Sequence, residues 1–180
     1  ANERAGMAWT IAQAKKRGDA DAVKAVEALR PYPDGERFTI EQADGWRKYA
    51  IRYGSLAAYR PDANFSLPAP RLPPDFPPPD RKAWIDGSLF TVTTLWPRLA
   101  NVGFNRVHRI ETPVIFFLGR HDTTTPSHLA ADWMAKLTAP KKQVVWFEHS
   151  SHLPMIEEPG RTFAALLQHV LPLTGSDAKK

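Results

Sequence analysis

The sequence predicts an α/β fold, because two buried strands flank one amphipathic helix. The runs 114–118 and 143–147 are apolar, continuous and rich in β-branched and aromatic residues, as in strands that are covered on both faces. Between them, Pro126 and Ser127 open a helix whose apolar side chains recur at helical spacing, and the helix closes before Pro140. A strand, a helix and a second strand in this order are typical of open α/β sheets.

The residues before this block predict three helices. Asn2 is expected to cap the first, Gly18 to follow its end, and Asp19 to cap the second, which Pro31 stops. Thr39 opens the third with a capping box that Gln42 completes, and this helix is expected to stop at Gly54 or to end near Tyr59 and Arg60. The faces expected to be buried are Met7, Ala8, Ile11 and Ala14, then Ala22, Val23, Val26 and Leu29, then Trp46, Tyr49, Ala50 and Tyr53. The aromatic stripe on the third helix either packs on neighbouring helices or forms an apolar wall of a substrate pocket.

Prolines dominate residues 61–80, which hold eight of the seventeen in the chain. Regular helix or central strand is not expected there, because proline lacks an N–H donor. The pattern indicates a polyproline-like loop, with a ligand for proline-reading domains as the alternative. Helical spacing returns over 81–101, where Pro97 is expected to begin a new turn, and 102–112 is expected to lead from this helical region to the sheet.

A closing helix is predicted from Pro159 to Leu171, with Pro172 ending it. Its expected buried face consists of Phe163, Leu166, Leu167 and Val170. The chain thus divides into a mainly helical region 1–105, an α/β region 106–174 and a polar tail 175–180.

Polar groups follow both strands at the edge where open α/β sheets place their chemistry. Gly119 to Asp122 forms a Gly-x-x-Asp turn after the first strand, and a polar loop with His152 follows the second. These motifs, with the apolar-acidic-Pro segment 156–159, resemble the C-terminal part of the α/β-hydrolase fold, closest to its proline iminopeptidase-like branch. The resemblance covers 106–172 well and 1–105 loosely, as a helical cap, and it implies a strand-like approach to the sheet just before Pro113. It implies that Asp122 is the acid and His152 the base of a Ser-His-acid triad.

The chemistry of such a triad explains why these residue types are needed. A serine hydroxyl is a poor nucleophile near neutral pH and requires an adjacent base. Histidine can take and return the proton in that range, and a carboxylate on its other ring nitrogen fixes the tautomer. An acid before the histidine also matches the chain order of these hydrolases.

The nucleophile is missing from the pattern. No G-x-S-x-G motif occurs, and the oxyanion-hole loop that should precede it is absent as well. We therefore expect the C-terminal piece of a larger serine hydrolase, inactive in acyl transfer until an N-terminal fragment or second chain supplies the serine. The resemblance implies a prolyl aminopeptidase-like peptidase. An esterase or other hydrolase of the same fold, or a non-catalytic interaction module, are the alternatives.

Other side chains could compete for these roles. His149 and His121 lie near the candidate base and acid, and Asp132 lies within the predicted helix. Ser150 and Ser151 adjoin the base, but no strained elbow precedes them, so neither is expected to be the nucleophile. The histidine spacing matches no familiar ligand pattern, so no metal and no cofactor are expected.

Composition narrows the remaining possibilities. The chain has 180 residues, no cysteine and a formal net charge of +5 with interspersed signs. Disulfides and a thiol nucleophile are therefore excluded, and neither nucleic acid nor membrane is an expected partner. The compartment stays open, with the cytoplasm favoured. Because both strands are apolar on both faces, they need neighbours, and we expect an obligate partner or self-association.

Overall fold

A computed structural model describes residues 2–35, 39–62, 77–99 and 102–174. The described residues divide into two compact units. The helical unit contains residues 3–53 and 60–102, and the sheet unit contains residues 54–59 together with those from 103 onward. The predicted division into a cap and a core is a functional one and stays a prediction.

Local capping signals set the helix boundaries of the helical unit. Its helices are α1 (Asn2–Arg17), α2 (Ala20–Glu27), α3 (Ile40–Arg52) and α4 (Pro78–Leu99). Gly18 has a φ of +69° after α1, and the Asp19 side chain accepts the Ala22 N–H at 3.0 Å. Thr39 and Gln42 form the reciprocal capping box. These three predictions are confirmed, whereas Asn2 is the first helical residue instead of the cap.

The core of the helical unit is built around Trp46, which is fully buried. It packs with Met7, Val26, Tyr32, Ala43 and Ala50. A Cβ at Gly6 would come within 2.3 Å of the Trp46 ring, so the ring packs directly on the backbone of α1. For Trp46, the observed role is therefore helix packing, the first of the two interpretations of the aromatic stripe.

One buried carboxylate holds this core together through polar contacts. Glu3 accepts hydrogen bonds from the Tyr32 hydroxyl, from Trp46 Nε1 at 3.0 Å and from Arg47. Burial and the contact with Glu3 raise the pKa of Tyr32. The predicted buried face of α1 is thus wrong in part, because Glu3, Gly6 and Thr10 are buried while Ala8 is exposed. Hydrogen bonds from three donors offset the cost of removing the Glu3 carboxylate from water.

Helix α4 begins earlier than the proline pattern indicated and continues through Pro97. Pro78 and Pro79 lie in its first turn, where the missing N–H of proline has no intrahelical partner to lose. The prediction of no helix up to residue 80 is therefore wrong at this end, and Pro97 lies within α4 instead of beginning a new turn. Its apolar side chains Trp84, Ile85, Leu89 and Phe90 are more than half exposed. Residues 63–76, with most of the predicted proline loop, lie outside the described residues.

The sheet unit contains a parallel pair of strands in the described residues. Strands β1 (Val114–Gly119) and β2 (Lys142–Phe147) pair in register from Val114 opposite Lys142 to Gly119 opposite Phe147. Helix α5 (Ser127–Lys136) connects them, and its Trp133 stacks on Phe116 with ring centroids 5.8 Å apart. The predicted strands and helix start are confirmed. Their side chains are mostly half-buried, not covered on both faces.

Helix α5 ends at Lys136, earlier than the proline at 140 indicated. Lys142 on β2 explains the difference, because its Nζ donates to the carbonyls of Met134, Ala135 and Leu137 at 2.7–3.1 Å. A cation at the C-terminal end of a helix donates hydrogen bonds to its last carbonyls and interacts favourably with the negative end of the helix dipole. The expected strand-like approach is reduced to an isolated bridge between Arg109 and Thr138 in the described residues.

The closing helix is longer and more exposed than predicted. A separate one-turn helix, α6 (Pro154–Glu157), precedes it, and the closing helix comprises α7 (Pro159–Ala165), a π-helical segment (Leu166–Val170) and α8 (Leu171–Thr174). Pro172 therefore does not end the helix. The π-helical turn before it changes the pattern of backbone hydrogen bonds, and Pro172 lies in the first turn of α8. Residues 175–180, the predicted tail, lie outside the described residues.

The predicted buried face of this helix is wrong. Phe163 is 64% exposed and Leu167 47% exposed, whereas Ala165 is buried. A parallel pair of strands is too narrow to cover the whole apolar stripe of the helix, so most of that stripe faces solvent. None of the helices in the described residues is long and apolar enough to span a membrane.

The contact between Tyr53 and Asp19 predicts a pH dependence for the helical unit. The Tyr53 hydroxyl donates to Asp19 Oδ2 at 2.7 Å, and burial together with this bond raises the pKa of Tyr53 to about 12. Because the folded pKa exceeds the unfolded value of about 10, the resulting stabilisation is present below that pH. It should be lost as the pH rises through about 12.

Phenolate absorbance measures this directly, with Tyr53→Phe identifying the signal. We expect Asp19→Asn to lower the Tyr53 midpoint, because the carboxylate no longer opposes ionisation of the phenol. Asp34→Asn removes a different carboxylate, which pairs with Arg4, and should leave the midpoint unchanged. Equal midpoints in the wild type and Asp19→Asn would contradict the assignment.

Candidate functional site

The two strand ends deliver two loops to the same edge of the sheet unit. Beyond the last strand pair, Arg120 N–H donates to the Phe147 carbonyl at 2.9 Å and His121 N–H to the Ser150 carbonyl at 3.0 Å. These bonds carry the register of the parallel pair into the loops. Asp122 and His152, predicted from the sequence, lie on these two loops.

The structure brings Asp122 and His152 into direct contact. His152 Nδ1 lies 2.9 Å from Asp122 Oδ2, and Nδ1 is the donor when the carboxylate is ionised. The Asp122 side chain is 9% exposed and the His152 side chain 35% exposed. A buried carboxylate thus holds one ring nitrogen of a histidine that is still accessible, which is the geometry of an acid–base pair.

Thr125 is a third member of this cluster that the sequence argument missed. Its hydroxyl donates to Asp122 Oδ2 at 3.0 Å and lies 3.1 Å from His152 Nδ1, while its N–H donates to Asp122 Oδ1 at 2.9 Å. Asp122 therefore also caps its own turn, the alternative role that aspartate often has. The signal for Thr125 was available, because a hydroxyl residue three positions after an aspartate is typical of such turns.

The histidine loop approaches β1 so closely that only glycine fits at the strand end. A Cβ at Gly119 would lie 1.8 Å from the Ser151 carbonyl oxygen and 2.7 Å from that of Ser150. Both neighbours are backbone atoms, which cannot move aside as a flexible side chain does. The Gly-x-x-Asp motif thus has a steric reason at its first position.

Residues 54–59 form a second wall of the site, which no sequence pattern indicated. The Ser151 hydroxyl donates to the Ser55 carbonyl, the Thr124 hydroxyl to Ser55 Oγ at 3.0 Å, and the His152 N–H to the Leu56 carbonyl at 3.1 Å. Ser55 and Ser151 are fully buried. This segment is separated from the histidine loop by about a hundred residues of sequence, so only the fold reveals the contact.

The competing side chains are exposed or have other partners. His121 Nε2 lies 2.9 Å from the Tyr59 hydroxyl and 3.1 Å from the Glu148 carbonyl, and His149 and Asp132 are exposed. The Ser150 hydroxyl donates to Glu158 at 2.6 Å and is fully buried. In the described residues, no group of three or more His, Cys, Asp or Glu side chains could hold a metal ion.

Arg120 and Glu148 form an ion pair between the two loops of the site. Arg120 forms two hydrogen bonds to the Glu148 carboxylate at 2.9 and 2.6 Å and stacks on the Trp146 ring at 3.8 Å. The hydrogen bond from Arg120 holds the pKa of Glu148 below its usual range. The pair ties the residue after β1 to the residue after β2, so it stabilises the spacing of the two loops.

Comparison with known proteins identifies the class of protein. Residues 8–166 match the family described as "Alpha/beta hydrolase family", so the chain belongs to the α/β-hydrolase family. Over 66 residues it is 36% identical to the "Probable aminopeptidase YbaC" of Bacillus subtilis (strain 168), a match that covers 37% of this chain and 21% of that protein. The chain therefore matches about a fifth of its relative's length. No solved structure matches the chain.

The close approach at Gly119 gives a stability prediction. Gly119→Ala should lower the free energy of unfolding by about 3 kcal/mol, because the new methyl group must push aside backbone atoms. Gly160→Ala is the matched control, since a Cβ there meets nothing within 4 Å. It should stay within about 1 kcal/mol of the wild type. Urea-induced unfolding measures both, and similar midpoints for the two variants would contradict the steric argument.

Proposed function

We propose that this chain supplies the acid and the base of a serine hydrolase. Membership of the α/β-hydrolase family supports hydrolysis as the reaction class. The observation that carries the assignment of residues is the 2.9 Å contact between His152 Nδ1 and Asp122 Oδ2. In this proposal His152 is the general base and acid, and Asp122 orients it.

The contact fixes which ring nitrogen would take part in proton transfer. With the proton on Nδ1 held by Asp122, Nε2 takes the proton of the serine hydroxyl as that oxygen attacks the substrate carbonyl. The imidazolium that forms is stabilised by the buried carboxylate. It then returns the proton to the leaving amine or alkoxide, and water repeats the sequence on the acyl-enzyme.

The nucleophile would come from a segment outside this sequence. The chain contains no G-x-S-x-G elbow, and the hydroxyls of Ser150 and Ser151 are buried and donated to other groups. The match to only a fifth of the relative's length also supports a larger hydrolase. We infer that this chain is the cap and C-terminal portion, inactive in acyl transfer without its complement.

The substrate class that we propose is a peptide with a small N-terminal aminoacyl group, proline first. The name of the Bacillus relative, a probable aminopeptidase, supports this choice over an ester. An esterase of the same fold remains the alternative, and the two differ in whether the scissile bond is an amide or an ester.

Replacement of the base tests the proposal. In the natively purified protein, together with any polypeptide that accompanies it, His152→Ala should lower kcat on proline 4-nitroanilide by roughly a thousandfold or more, with KM little changed. His149→Ala is the matched control, because its side chain is exposed and lies on the same loop. It should retain wild-type kcat.

Two results would overturn the assignment. Turnover that survives His152→Ala would remove His152 as the base. Turnover of 4-nitrophenyl esters without any cleavage of aminoacyl anilides would replace the aminopeptidase proposal by the esterase alternative.

An obligate partner is the second part of the proposal. In the sheet unit, Met155, Phe163 and Leu171 are each more than half exposed along α6 to α8. An apolar face of this kind is usually covered by another element or chain. The occupant that we propose is the nucleophile-bearing part of the hydrolase, and a non-catalytic module that uses the same face is the alternative.

Native mass spectrometry beside a denaturing gel tests this part. We expect a complex with a second polypeptide that carries a serine elbow. Phe163→Ser should weaken the complex, because it removes apolar area from the exposed face. Gln168→Ser, at an exposed polar position of the same helix, should not. A stable monomer of this chain alone would count against the partner.

A further inference from the structure

The carboxylate of Glu157, next to the histidine loop, accepts hydrogen bonds from several backbone N–H groups. Glu157, the last residue of α6, accepts the N–H groups of Ala58 at 2.5 Å, Ser151 at 2.9 Å and Leu153 at 3.2 Å. Ser151 and Leu153 are the residues immediately before and after His152. The bonds from Ser151 and Leu153 therefore hold the backbone of the histidine loop on both sides of the candidate base.

The two oxygens of the Glu157 carboxylate accept hydrogen bonds from different segments of the chain. Oε2 accepts from Ser151 and Leu153, and Oε1 accepts from Ala58 in the second wall of the site. The His152 N–H in turn donates to the Leu56 carbonyl at 3.1 Å. Glu157 thus ties residues 54–59 and the histidine loop into one hydrogen-bonded unit.

We propose that Glu157 is a positioning residue for His152, an assignment that rests on the proposed function. Its carboxylate fixes the backbone from which the imidazole projects, so that Nδ1 reaches Asp122 Oδ2. Backbone N–H bonds to a carboxylate are charge-assisted and roughly twice as strong as neutral ones. Hydrogen bonds on both flanks also restrict the backbone rotation that would otherwise carry the ring away from the acid.

The neighbouring glutamate provides a matched control. Glu158 accepts the His149 N–H at 3.2 Å and the Ser150 hydroxyl at 2.6 Å, both through Oε2. Glutamine keeps one acceptor oxygen, so Glu158→Gln can retain both bonds. Glu157→Gln cannot retain all three, because its NH₂ group would face either the Ala58 N–H or the N–H groups that flank His152.

The ring N–H of His152 reports the geometry independently of turnover. In the ¹⁵N-labelled full chain, with any accompanying polypeptide, we expect a low-field Nδ1–H resonance that Asp122→Asn abolishes. Glu158→Gln should preserve it. Glu157→Gln should lose it, or increase its exchange with water at least tenfold, while the amide spectrum stays that of a folded protein.

A measurement on the wild type decides the case in which Glu157→Gln does not fold. Amide protons that are hydrogen-bonded within a folded protein exchange slowly with water. The amide protons of Ala58, Ser151 and Leu153, which all donate to Glu157, should therefore exchange slowly. Fast exchange of the Ser151 and Leu153 amide protons in the folded wild type would overturn the positioning role.

The outcomes separate this inference from the proposed function. If the resonance is present in the wild type and unchanged in Glu157→Gln, Glu157 does not position His152, and the pair with Asp122 stands. If the wild type has no such resonance, the pair itself fails, and the positioning role fails with it. A loss in Glu157→Gln alone supports both.

Discussion

The candidate site depends on the contact between the end of β1 and the histidine loop. The parallel pair ends in register at Gly119 and Phe147, so both loops leave the sheet unit at one edge. Because Gly119 has no side chain, the Ser151 carbonyl can lie where a Cβ would be. That approach lets the next turn present Asp122 to His152. The strand register and the absence of a side chain at Gly119 thus together allow the contact between Asp122 and His152.

Each unit also depends on a carboxylate that gathers donors from distant parts of its sequence. In the helical unit Glu3 joins Tyr32, Trp46 and Arg47. In the sheet unit Glu157 joins backbone N–H groups of residues 54–59 and of the histidine loop. In both cases several hydrogen bonds offset the cost of removing the carboxylate oxygens from water. Polar residues therefore specify these two regions as much as apolar packing does.

The apolar faces illustrate the limit of periodicity. Helical spacing correctly indicated an apolar stripe on the closing helix, yet Phe163 and Leu167 are largely exposed. Periodicity reports which side chains share a face, and it carries no information about what covers that face. The same holds for α4, where Ile85 and Leu89 are exposed. The partner that we propose for the sheet unit follows from this difference between pattern and burial.

The sequence by itself determined the features that depend on neighbours within a few residues. These are the caps at Asp19 and Thr39, the glycine after α1, the two strands and the helix between them, and the polar loops at the strand ends. It also singled out Asp122 and His152, whose roles we propose, and the α/β-hydrolase family to which the chain belongs. The tertiary structure decided the capping of the α5 C-terminus by Lys142, the second wall at residues 54–59 and the bonds of Glu157. The physical reason is that each needs a partner from another element, and a local pattern does not encode that pairing.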